Sequence, residues 1–190
     1  MAHPYRSERL WYRAVDTPED DTLFQAINAD PIAYENSNAS NIRLPTRADA
    51  ADFQKRFSED VLLGIVICLP PPAADIKPVP IGCISLSKPN PRMVHHRHSD
   101  IGIDILAQYQ GQGYGSEAIR WTLQWGFARA GLHRIMIRAF GWNTGALRLY
   151  ERLGFKKEGE WREFLWHDGK WWSDVQFSML ETEWRELQQR

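Results

Sequence analysis

Gln110-Gly111-Gln112-Gly113-Tyr114-Gly115 is the stretch on which the fold turns. It follows a stretch over residues 99–106 that reads as a strand and opens a helix-forming segment that starts at Ser116. Glycines this close together let successive backbone N–H groups converge without Cβ obstruction. The helix beyond adds amides without intrahelical partners and a favourable dipole. The two together make an anion cradle suited to a pyrophosphate. A tight strand-to-helix connection uses the same residues, so the turn alone does not decide. Two rival phosphate motifs fit less well. Tyr114-Gly115-Ser116 lacks the lysine of a Walker loop. A dinucleotide fold places its glycines after its first strand, with an acid about 20 residues on. Here the turn lies past the chain midpoint, and the next strand ends in Arg138-Ala139-Phe140.

Outward from the turn, the pattern predicts a helix over 116–130, with apolar positions at Ile119, Leu123 and Phe127 and with Trp121 and Trp125 widening the stripe. Residues 134–140 read as a strand. Asn143 reads as the cap of a short helix through Leu149, closed by Gly154. A hairpin follows, 161–166 with 171–180, turning at Asp168-Gly169. Upstream, 9–15, 62–69, 81–87 and 99–106 read as strands. Pro70, Pro71 and Pro72 stop the second of these. Thr17, Pro18 and Asp20 suggest a helix start, Asp30-Pro31 its end, 31–45 a loop, and Arg47 to Phe57 a second helix. The order implies a mixed α/β fold, α+β in character, with one mostly antiparallel sheet covered by helices. Residues 1–190 read as a single domain with short polar tails.

Composition narrows the classes. The 190 residues carry 23 Lys and Arg against 24 Asp and Glu, so charge gives no support to a nucleic-acid partner. No segment has the apolar length of a membrane span, and the polar start lacks a signal-peptide core, so a cytoplasmic protein is expected. Cys68 and Cys83 sit in apolar strands and are read as buried free thiols. His95, His96 and His98 are read as loop residues and His133 as structural, so no metal is expected.

A resemblance sharpens this reading. Residues 103–115, IDILAQYQGQGYG, look like the Gln/Arg-x-x-Gly-x-Gly/Ala signature of the GNAT (GCN5-related N-acetyltransferase) superfamily. Residues 143–155, NTGALRLYERLGF, resemble its second recognisable block. Ser7-Glu8-Arg9-Leu10 and Glu158-Gly159-Glu160 are similar to its ribosomal-protein and spermidine acetyltransferase branch. The resemblance implies acetyl-CoA as donor, a primary amine as acceptor, and a sheet splayed between its fourth and fifth strands to admit the pantetheine arm. It implies that the backbone at Ile105 and Leu106 pairs with pantetheine, with an amide near Leu106 facing the thioester oxygen. Gln110, Gly111, Gln112, Gly113, Tyr114, Gly115 and Ser116 would hold the pyrophosphate, and Asn143 would contact the cofactor or a water. Proline is common in the family where Ala107 stands.

The resemblance also assigns Tyr150 as general acid for the departing thiolate. An alkyl ammonium has a pKa of about 10.4 and cannot attack while protonated. Asp100 and Asp104, on one strand with the same parity, are the candidate bases, acting directly or through water. Nine tryptophans include Trp142, Trp161, Trp166, Trp171 and Trp172 near the implied acceptor side. They suit either an amine pocket or ordinary core and subunit packing. Glu160, Glu163, Asp168 and Asp174 suit a polyamine or plain solvation. A non-catalytic acyl-CoA-binding scaffold is the competing reading. A homodimer through the C-terminal hairpin is compatible with the sequence, as is an acceptor that is a small molecule or a peptide.

Overall fold

The computed structural model describes residues 3–41, 44–71, 73 and 75–189. Parts of the loop expected over 31–45 and of the stop at Pro72 lie outside those residues. The fold is mixed α/β, its strands mostly antiparallel and flanked by helices. The chain forms two compact units, 1–88 with 102–122, and 89–101 with 123–190.

In the first unit β1 (Trp11–Ala14), β2 (Val61–Leu69) and β3 (Val79–Ser87) form an antiparallel ladder, with β3 next to β4 (His98–Ile105). Helices α1 (Asp21–Ala29), α2 (Pro31–Ser37) and α3 (Arg47–Glu59) belong to the same unit. Its core gathers Leu23, Phe24, Ile27, Phe57, Val66, Cys68 and Cys83, with Phe53 and Leu106 packed against it. Phe24, Phe53 and Phe57 meet edge to face at 5.4–5.8 Å. Phe24 is fully buried, a placement that stabilises by about 1.5–3 kcal/mol. Both cysteines are buried free thiols, as the strand pattern implied.

Two local expectations are corrected here. Thr17 is not a helix cap: its hydroxyl accepts from Gln54 Nε2 at 3.0 Å. Asp20 stands at the cap position of α1 but makes no side-chain cap. Arg13 grips it in a bidentate pair at 2.6 and 2.7 Å, and that fully buried carboxylate also accepts from the Asp16 amide. Asp30-Pro31 ends α1 and also starts α2. Asp30 Oδ1 accepts from the amides of Ile32 and Ala33, and proline suits the first helical position. Residues 31–37 are therefore helix rather than loop.

In the second unit the start of β4 pairs in parallel with β5 (Arg134–Phe140) over His98↔Arg134, Ser99↔Ile135 and Asp100↔Met136. Then β5 pairs with β7 (Lys170–Leu180), and β7 with β6 (Lys156–His167), both antiparallel. Asp168 and Gly169 turn the hairpin, both with positive φ, as a two-residue type I′ connection requires. Helix α5 (Thr144–Arg152) is capped by Asn143, and α6 (Glu181–Gln188) packs Trp184 on Phe127 at 5.5 Å. The last helix to be placed, α4 (Tyr114–Ala128), begins two residues earlier than the pattern predicted. Tyr114, Gly115 and Ser116 thereby form its first turn.

Candidate active site

The glycine turn lies in the first unit. Gly111 and Gly113 hold φ of 72° and 84°, a backbone state that costs any residue with a Cβ. The first i→i−4 bond of α4 runs from the Glu117 amide to the Gly113 carbonyl at 3.1 Å. The amides of Tyr114, Gly115 and Ser116 lie upstream of it, so the helix ladder does not claim them. Gln110 anchors the turn, its Nε2 donating to the Ile105 carbonyl at 2.7 Å. Gln112 Nε2 donates to the Gln108 carbonyl at 2.9 Å. These residues thus fit an anionic group: a cradle whose glycines hold left-handed backbone that other residues rarely adopt, at the head of a 15-residue helix.

Leu106 bonds to its neighbours through both backbone groups. Its N–H donates to the Ile81 carbonyl at 2.9 Å, and its own carbonyl accepts from Tyr109 at 2.8 Å. The sheet and the following turn have taken both groups. The Ile105 carbonyl accepts from Gln110.

Asp104 stands two residues before that point on β4. Gly82 permits its dense surroundings, since a Cβ there would lie 2.3 Å from the Asp104 carbonyl. Burial pushes the carboxyl up to about 6. Ser37, the last residue of α2, donates its hydroxyl to the Ala33 carbonyl at 3.0 Å. Its helix lies where the sequence reads as an asparagine-rich loop.

A residue missed by the sequence pattern is Arg9. Its Nε donates to Glu117 Oε2 at 2.8 Å and its Nη1 to the Gln112 carbonyl at 3.0 Å. Its backbone amide and the Ser7 hydroxyl both donate to Glu117 Oε1. Burial acts to raise the Glu117 carboxyl, but these bonds outweigh it and hold the group below its ordinary value. Only the resemblance of residues 7–10 marked this segment, because Arg9 and Glu117 are far apart in sequence.

The remaining candidates belong to the second unit. Asp100 is exposed on β4, opposite Met136. Asn143 Oδ1 accepts from the Ala146 amide at 3.1 Å, so its oxygen serves the cap and Nδ2 is what remains for a ligand. Tyr150 is 7% exposed on α5, its ring edge-on to Phe177 at 5.9 Å and tilted against Phe155 at 6.1 Å.

The tryptophans divide. Trp142 stacks on His167 at 4.2 Å and meets Trp172 edge-on at 6.1 Å. Trp161, Trp166 and Trp171 are more than half exposed, so core packing does not describe them. Trp166 and Trp171 face each other across the hairpin and pack on one another instead. The acidic group is not a free cluster either. Glu160 pairs with Lys157 at 2.8 Å, and Asp174 with Arg138 at 2.9 Å. Burial pushes Asp174 up while Arg138 opposes the shift. Among the described residues no group of three or more His, Cys, Asp or Glu could hold a metal ion, and no helix is long and apolar enough to cross a membrane.

The first unit thus brings an anion cradle at the head of α4 and the Asp104 carboxyl of β4 into one stretch of chain. A family model described as acetyltransferase (GNAT) domain matches residues 9–156, and the chain belongs to that family. It is 32% identical over 85 residues to the uncharacterized N-acetyltransferase YnaD of Bacillus subtilis (strain 168), covering 45% of this chain and 50% of that protein. It is 26% identical over 86 residues to the spermidine N(1)-acetyltransferase of Escherichia coli (strain K12), covering 45% and 46%. The chain thus spans about half the length of these curated relatives. Its fold resembles that of spermidine N-acetyltransferase from Vibrio cholerae in complex with CoA and spermine, with TM-score 0.77 and 20% identity over 94% of this chain and 99% of that one.

Proposed function

We propose that this GNAT-family acetyltransferase moves the acetyl group of acetyl-CoA directly onto a primary amine, with a small amine, a polyamine or a protein N-terminus as the acceptor class. The observation that carries the reading is the cradle, Gly111 and Gly113 in left-handed geometry ahead of the unclaimed amides of α4. In this reading those amides bind the pyrophosphate. Asp104 takes the amine proton as the C–N bond forms. A carboxyl at about 6 is largely ionised at neutral pH and more basic than an ordinary aspartate of about 3.9. Tyr150 gives a proton to the thiolate as the C–S bond breaks. The relatives that act on spermidine make polyamines the first acceptors to test.

A screen for acetyl-CoA-dependent thiol release over amines, polyamines and peptides tests the proposal. Release should appear with at least one primary amine and be absent without acceptor. Tight CoA binding with no release for any acceptor would instead indicate a binding scaffold.

The cradle has its own test. Gly113→Val places a Cβ in a left-handed backbone and 3.2 Å from Arg9 Nη2. It should weaken CoA binding by about tenfold or more in calorimetry, given a backbone penalty of about 1–2 kcal/mol before any collision. Gly111→Ala, with nothing within 4 Å of its Cβ, should cost less. Unchanged affinity in the Gly113 variant would place the cofactor elsewhere.

A further inference from the structure

Arg9 touches the turn at three points. Nη1 holds the Gln112 carbonyl, Nε holds the Glu117 carboxylate in the first turn of α4, and the guanidinium lies 4.9 Å from the centre of the Tyr114 ring. A peptide unit is planar and trans. Fixing the Gln112 carbonyl therefore fixes the direction of the Gly113 N–H on the opposite edge of the same plane. The Glu117 grip ties that plane to the start of the helix. Serine and backbone donors from residues 7 and 9 complete the lock on Glu117, so the arginine has little rotational freedom left.

One donor remains. Nη2 makes no hydrogen bond among the described residues, lies 3.2 Å from where a Gly113 side chain would begin, and belongs to a side chain 45% exposed. A guanidinium that uses two edges on protein and leaves the third beside an anion cradle has the fork geometry suited to phosphate.

We infer that Arg9 is a positioning and specificity residue for the phosphate end of the cosubstrate: it sets the turn's amides and donates through Nη2 to the pyrophosphate. This rests on the acetyl-CoA reading above. Because Glu117 neutralises the charge of Arg9, the effect comes from directed hydrogen bonds more than from net charge. A lysine, with one compact ammonium, cannot make the Gln112, Glu117 and phosphate contacts together.

The informative readout is the preference for acetyl-CoA over S-acetylpantetheine, which lacks the phosphates, taken as a ratio of kcat/KM values. CoA affinity by calorimetry is the second readout. Arg9→Ala should lower that preference about tenfold to a hundredfold, the range for a hydrogen bond to a charged group. The same fall should appear with 3′-dephospho acetyl-CoA. Arg9→Lys should recover little of it, and it carries the test if the alanine variant does not fold. A fall shared equally by both donors, leaving the ratio unchanged, would reduce Arg9 to a structural brace and overturn the inference. A fall confined to the 3′-phosphorylated form, or full recovery by lysine, would also overturn it. A wild-type protein that binds no CoA would remove the underlying acetyl-CoA reading, whatever Arg9 does.

Discussion

Asp104→Asn should slow acetyl transfer by about two to four orders of magnitude, the range for loss of a positioned general base. The same change should make the protein more stable at alkaline pH. The two effects share one cause. Burial raises the carboxyl to about 6, against about 3.9 in an unfolded chain. A group whose folded value is raised gives its full contribution to stability below the unfolded value. That contribution is lost as pH climbs through the folded value. From pH 4 to 6 the wild-type protein therefore gives up stability that a neutral asparagine keeps. Each pKa unit corresponds to about 1.4 kcal/mol, and for this chain length 1 kcal/mol shifts Tm by about 2–4 °C. Thermal melts should then show the variant ahead at pH 8 and level with wild type near pH 3.5. The rate profile should agree: wild-type kcat/KM rises with pH through about 6, and the variant lacks that limb. A variant less stable at pH 8, with a rate profile of unchanged shape, would make Asp104 a structural acid and leave the proton to water or to Asp100.

What the sequence revealed and what it hid follow one physical division. Features dictated by local backbone demands were legible. Gly113 and Gly111 are glycines because the turn needs positive φ, and Asp168-Gly169 is the pair a tight hairpin selects. Asn143 caps α5 through a contact three residues away. Features set by long-range partners were not. Nothing near Asp20 says that Arg13 will take its carboxylate away from the helix amides. Nothing near Arg9 points to Glu117. Asp30-Pro31 reads equally as a helix stop and a helix start, and only the cap bonds to Ile32 and Ala33 resolve it. That ambiguity also hid the helix over 31–37. Leu106 shows a further limit. Its amide donates to the Ile81 carbonyl of a neighbouring strand, a partner that a linear motif does not record.

Tyr150→Phe removes one hydroxyl and keeps the ring. The ring is held by apolar neighbours, Phe155 on one side and Phe177 edge-on on the other, and phenylalanine keeps both contacts. Phenylalanine fills the same space, so the stability cost is that of one hydroxyl's interaction, about 1 kcal/mol or about 2–4 °C in Tm. CoA affinity should stay within about twofold in calorimetry, because phosphate binding is assigned to the turn ahead of α4 and not to α5. If the hydroxyl protonates the departing thiolate, kcat should nonetheless fall by about a hundredfold or more. The loss should be equal in kcat and kcat/KM, the pattern of an interaction made only in the transition state. A fall in affinity matching the fall in rate would recast Tyr150 as a binding residue. Undiminished kcat would show that the thiolate leaves without it, as the weakly basic leaving group of a thioester can when water or a backbone amide meets it.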